Sequence, residues 1–419
     1  MKKFSPVLAL ILTVFAPPAF TDDINPASVR QSVEFAVNNS ADRSNDYRRA
    51  WSQVPSVMTY VNGDGVSVCT FDQAAHNTVV FEYSGDLEPV KTMEFQGELP
   101  RMGAFTKDTE GNYYFFYGRL VSSNDRNAEN MIMVKYDPQG VKLLSYKLKA
   151  YAPSSFHGIR VPFDAAACRL EISGNMIAVY FGREMFDGHQ ASYGFVLNKD
   201  TFERVDRGAT TNASQAETLV MPYASHSFNQ FILPIEGGFV FADHGDAYPR
   251  CFTFAKFHPG GRTKRAHAFK FEGAVGQNAT YAQLGGLAKT PGGYIFTGTY
   301  GRSSRNLFIL TFDENLSACS KPVYITAYTA ATGHAAHPKI TALEEGYLLM
   351  WEFFTSTGYE STYMLIIDEQ GKALSPMAEL PGIRLNMNDV LRYNQTNGRV
   401  YWSVNEGQTV ITYALNPGK

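Results

Sequence analysis

From residue 56 onward, short runs of Val, Ile, Phe and Tyr are separated by turns rich in Gly, Asn, Asp and Pro. Repeated this often, the pattern predicts an all-β protein built from copies of one unit. The copies align on a turn glycine followed by an apolar strand. They begin at Gly65-Val66-Ser67, Gly111-Asn112-Tyr113, Gly174-Asn175-Met176, Gly237-Gly238-Phe239, Gly292-Gly293-Tyr294, Gly346-Tyr347-Leu348 and Gly398-Arg399-Val400. A second turn follows each strand pair, as at Tyr136-Asp137-Pro138-Gln139-Gly140, Phe257-His258-Pro259-Gly260-Gly261 and Ile367-Asp368-Glu369-Gln370-Gly371. Gly, Asn, Asp and Pro supply the backbone angles that tight hairpins need. Each unit is therefore four strands, a to d, with tight a–b and c–d turns.

Four-stranded units of this length, visible seven times, resemble the blades of a β-propeller. The resemblance covers about residues 56 to 416 and rests on period and strand pattern; Trp-Asp dipeptides of the WD type and aspartate boxes of the sialidase type are missing. It implies an all-β fold, a seven-bladed β-propeller of four-stranded blades, in a domain spanning 56–419. Strands of the last unit fall at Val390–Asn394, Val400–Val404 and Thr409–Leu415, and the chain stops where its c–d turn should be. An unpaired sheet edge is an aggregation template. We therefore expect the N-terminal segment, residues 21–55, to close the last blade with a strand near Val29–Val37; a short helix capped by Ser28 is the alternative.

Met1-Lys2-Lys3, the apolar run Val7 to Phe15 and Ala16-Pro17-Pro18-Ala19 have the three-part form of a secretory signal peptide covering residues 1–20. This predicts a secreted or periplasmic protein, of bacterial type. No later apolar run approaches the ~18 residues of a membrane helix, so no membrane span is expected in the mature chain. The formal charge is −3, which disfavours nucleic acid as a partner because phosphate binding needs a basic surface. Cys69, Cys168, Cys251 and Cys319 form no CxxC pair, so neither a structural zinc site nor a disulfide pairing is readable. A monomer without cofactor or metal is expected. Aromatic residues make up 14% of the chain, and most should pack between blades.

In a propeller the a–b and c–d turns share one face, the b–c and d–a loops the other. Here the second set is long and polar. Its b–c loops carry Arg119, Arg183, His189, Asp246, Tyr248, Arg250 and Arg302, and its d–a loops carry His157, His226, His334 and His337. Blade four concentrates these groups. With its a–b turn at Glu236-Gly237, Asn229 should oppose His244, and His226 should lie near Ala247 and Tyr248. Such a cluster suits a polar or anionic glycan, or a protein surface, through Arg and His donors. A hydrolase or lyase acting on a polymer is the competing expectation, with His226 or His244 as base, Asp246 as its partner, and Arg183 or Arg250 as anion stabiliser. A structural module of an envelope assembly is the third. The GxSxG, HExxH, GxGxxG and P-loop signatures are all missing. Structured loops also use Asp and His to close backbone turns, so each polar residue here has a purely architectural reading as well.

Overall fold

The computed structural model describes residues 29–32, 57–72, 75–122, 124–151, 158–164, 167–206, 221–261, 263–406 and 409–417. The segment read as a signal peptide, residues 33–37 of the proposed closing segment and His157 lie outside them. The described residues form seven antiparallel sheets and no helix. Blades one, two, four, five and six run a-b-c-d in sequence order, as in blade four: Ser227–Ile235, Gly238–Gly245, Cys251–Phe257 and Lys264–Ala268. Blade three departs at its rim, where its d strand shrinks to a single Leu197–Arg204 bridge. At the inner side of the same blade, Val161–Pro162 prolongs the line of strand a by pairing with Arg183 and Glu184 at the far end of strand b.

The last blade closes as expected. Val29–Ser32 pairs antiparallel with Thr409–Leu415, from Val29↔Thr412 to Ser32↔Thr409, so an N-terminal strand forms the outer edge of blade seven. Ring closure is also built from side chains. Seven apolar clusters occupy the seven junctions between neighbouring blades, and one joins blade seven to blade one through Tyr401, Val410, Val57 and Val68. At that junction the Tyr401 hydroxyl and Arg399 Nη1 each donate to the Gly85 carbonyl at 2.7 Å. The junction between blades four and five is mostly phenylalanine: Phe252, Phe254, Phe296 and Phe308 pack with ring centroids 4.9 to 6.3 Å apart. Burying each such ring contributes roughly 1.5–3 kcal/mol before conformational entropy is subtracted.

The four cysteines sit in different blades. All four thiols are free, three of them buried.

Four inner strands carry a bulge at the same level of the ring. Register shifts occur between Met102 and Ala104, Ser227 and Gln230, Leu284 and Gly286, and Ala336 and Lys339. The connection from blade six to blade seven then fills the ring's axis. Arg384 through Asp389 are all buried. Asn386 Nδ2 donates to the carbonyls of Val57 and Ser403, and Asp389 Oδ2 accepts the Thr59 amide at 2.7 Å. Lys339 Nζ donates to the Asp389 carbonyl at 2.6 Å, and Arg169 donates to that of Asn388. Blades one, three, six and seven thus hold this plug from several sides.

Candidate functional site

Blade four's a–b hairpin has the predicted register from Ile235↔Gly238 to Gln230↔Asp243. Beyond that point Phe228 and Asn229 bulge, so Ser227 pairs with Gly245 and Asn229 does not face His244 across the ladder. The extra residue turns Asn229 toward the axis, where it lines a 10 Å³ cavity with His244, His337 and Lys339. That volume holds about one water molecule.

Asp246, Arg250 and His226 come together, at the base of the b–c loop. Arg250 Nη1 is ion-paired with Asp246, and the guanidinium also donates to the carbonyls of Asp246, Glu272 and Ala279 at 2.8 to 3.3 Å. Asp246 is fully buried and accepts the Asn278 amide at 2.8 Å. Arg250 thereby staples two loops together, and its donors point at protein. His226 has a left-handed backbone (φ 51°), costly for a residue with a Cβ. Its amide donates to the Gln190 carbonyl, and its carbonyl accepts the Asp246 amide. Those two bonds hold the ring with Nδ1 3.7 Å from Asp246 Oδ2 and 27% of the side chain exposed. His189 lies alongside, ring centroids 5.2 Å apart, its Nε2 hydrogen-bonded to Ser225 Oγ. Tyr248 completes the patch; it is 72% exposed, and its carbonyl accepts the Ser225 amide at 3.3 Å.

His244 belongs to the core. It is fully buried, with Phe228, Phe252 and Phe271 ring centroids 5.0 to 5.9 Å away and Nε2 2.9 Å from Thr280 Oγ1. Burial, helped by the Arg250 charge, pushes it down to about 3. Arg183 is fully buried too. It belongs to strand b rather than a loop, donates to the Gly158 carbonyl and lies over the Tyr193 ring. His334 and His337 lie in blade six's inner strand, His334–Ala342, not in a loop. His337 Nδ1 is 2.8 Å from Glu352 Oε2, and the same carboxylate takes Arg384 Nε at 2.9 Å and the Leu385 amide at 2.8 Å. Burial opposes ionisation of Glu352, but His337 and Arg384 outweigh it and hold the carboxyl below its ordinary range. Burial next to Arg305 pushes His334 down to about 4. Arg119 and Arg302 are exposed on blades two and five; Arg119 Nε donates to the Glu129 carbonyl, and Arg302 lies over Tyr281. Of the described candidate residues, His189, His226, Asp246, Tyr248 and Arg250 therefore share one patch, Asn229, His244 and His337 meet at the small buried cavity, and Arg119, Arg183, Arg302 and His334 lie apart on blades two, three, five and six. Among the described residues, no group of three or more His, Cys, Asp or Glu is arranged to hold a metal ion.

The opposite face holds a feature that the loop pattern did not suggest. A 390 Å³ funnel opens on the axis among the a–b turns. Its walls include Val61, Phe231, Leu233, Leu287, Ile340 and Leu391, and Glu171 and Arg392 lie at its base. Arg392 Nη2 meets Glu171 Oε1 at 2.7 Å. The sequence did carry a signal: Arg169, Glu171 and Lys339 put charges in the middle of inner strands, where a closed ring has only its axis to offer them.

No protein-family model matches the chain, and neither does any curated protein sequence. Among solved structures, a chain of the mitotic checkpoint complex aligns at TM-score 0.49 and 11% identity, over 98% of this chain and 99% of that one. U3-55K aligns at 0.46 and 10%, over 86% and 96%. The GH93 α-L-arabinofuranosidase of Fusarium graminearum aligns at 0.43 and 12%, over 75% and 93%. At such identities a likeness concerns fold alone. The sheet order and the seven junction clusters independently make this chain a seven-bladed β-propeller.

Proposed function

We propose that this is an exported recognition propeller that binds a polar glycan on the long-loop face of blades three and four. The observation that carries the reading is Tyr248: a ring 72% exposed on a loop whose base is locked by the buried Arg250–Asp246 pair. A rigid aromatic beside two imidazoles offers a stacking plate together with hydrogen-bonding groups, and little order remains to be imposed on binding. Truncating such an anchor removes about 2 kcal/mol, roughly thirtyfold in affinity. The test is a glycan array followed by calorimetry on the strongest hit. Tyr248→Ala and His226→Ala should each weaken that hit at least tenfold while melting like the parent. Unchanged affinity in both would remove this face as the site.

One geometric fact favours a second reading. His226 Nδ1 lies 3.7 Å from a buried carboxylate that Arg250 also contacts, an arrangement suited to accepting a proton on the exposed ring nitrogen. A hydrolase or lyase of this kind would lose turnover in His226→Ala but keep binding, whereas a pure recognition module would show no turnover to lose.

A further inference from the structure

The funnel on the turn face lies at the other end of the axis from the patch just discussed and is independent of it. Its volume, 390 Å³, falls within the ~300–1,000 Å³ of small-ligand pockets. Residues from six blades build its walls, so the shape is set by the ring and not by a mobile loop. Phe231, Leu233, Leu287 and Ile340 make the walls apolar.

The base is charged. Arg392 Nε donates to the Thr59 carbonyl at 3.0 Å and Nη2 to Glu171 at 2.7 Å, and Nη1 has no acceptor among the described residues. A fifth of the side chain stays open, 19% against 9% for Glu171. Behind this pair Arg169 lies 4.6 Å over the Phe231 ring, is 6% exposed, and has a buried Nη2 with no hydrogen-bond partner among the described residues. Arg169, Arg392 and Lys339 surround the axis together with the carboxylates Glu171, Asp389 and Glu352. What remains over is two guanidinium nitrogens, Arg392 Nη1 and Arg169 Nη2, in a low-dielectric site where a charged acceptor for them is strongly favoured. Acids outnumber bases around the rim: Glu236, Glu344 and Glu345 are exposed on the a–b turns, beside one exposed lysine, Lys289, on the wall. They disfavour a ligand that is negative along its whole length. From this gradient we infer that the funnel binds a small amphipathic monocarboxylate, its apolar chain against the walls and its carboxylate at Arg392 Nη1.

Octanoate is the probe, octanamide its uncharged counterpart, and calorimetry on the intact protein is the readout. Octanoate should bind at least tenfold more tightly than octanamide. Leu287→Trp, which fills the funnel from a half-exposed wall position, should weaken both ligands at least tenfold. Arg392→Gln should abolish the preference for octanoate. Because that change strands Glu171, the Glu171→Gln/Arg392→Gln double variant serves as the folded control and should also lose the preference. Failure of the parent to bind octanoate, or equal affinity for the two ligands, would overturn the inference. So would unchanged binding in Leu287→Trp, or a charge preference that survives in the double variant.

Discussion

His244 separates a catalytic reading of blade four from an architectural one, and acid stability is the measurement that decides between them. The ring is fully buried among three phenylalanines, so protonating it places a charge in an apolar cage. Its pKa accordingly falls from 6.5 to about 3, through burial first and Arg250 second. Below pH 6.5 the unfolded chain binds a proton that the folded chain refuses. Stability must then fall as pH falls, by about 1.4 kcal/mol per unit, until the folded pKa is reached. Between pH 7.5 and pH 4.5 this one residue should remove about 2.7 kcal/mol. In His244→Leu the titration disappears. The variant carries a constant cost, on the order of 1–3 kcal/mol, for the lost partner of Thr280, but that cost does not depend on pH. Urea unfolding of both proteins at the two pH values gives the result as a difference of differences, in which the other carboxylates and histidines cancel. The parent should lose about 2.7 kcal/mol more than the variant. If the two proteins lose equal amounts, His244 titrates as it would in water and the sealed cage is wrong.

Glu352→Gln should cost about 3–5 kcal/mol by urea unfolding, because it leaves Arg384 and His337 buried beside a neutral amide; a loss under about 1 kcal/mol would mean that the triad does not hold the plug. In the parent, the depressed Glu352 pKa gives stability that is present above its unfolded value near 4.5 and lost as pH falls through the lower folded value. Lys339 acts at the other end of the scale. Burial, then the Arg169 charge, lowers it from 10.5 to about 7, so the parent should gain stability relative to Lys339→Met as pH rises from about 7 toward 10.5, and parallel profiles would contradict this. Removing residues 21–35 strips the outer strand from Thr409–Leu415; light scattering should show self-association, and a stable monomer would show that the edge needs no cover.

The ring was legible in the sequence because a blade is a local object. Turn glycines, apolar strands and hairpin residues lie within one unit, and the missing outer strand of blade seven followed from counting them. The blade-four register was legible to the same extent, correct from Ile235 to Gln230 and lost at Phe228. A bulge has no required residue type, so nothing in Ser227-Phe228-Asn229-Gln230 announces one. The histidines show the other limit. The loop pattern places polar residues near strand ends on an exposed face, but His244, His337 and Arg183 are buried there. A propeller loop folds back over its own blade, and the groups that close it are the same types that would hold a ligand.

The bulges also account for which end of the axis stays open. An added residue bends its strand and leaves the ladder locally unpaired. All four lie in the half of strand a nearer the long loops, and they converge there: Asn229, His337 and Pro338 line one small cavity. Blades five and six nearly touch at this level, since a Cβ on Gly285 would stand 2.7 Å from the Pro338 carbonyl. With the plug of residues 384–389 pinned across the same level, little room for a ligand remains between the blades at that end. Past the bulges the strands run in regular register to their turns, the side chains shorten the gap only from the walls, and the funnel is what remains. A ligand on the long-loop face must therefore rest on the rim, beside Tyr248 and His226, whereas one on the turn face can enter the axis.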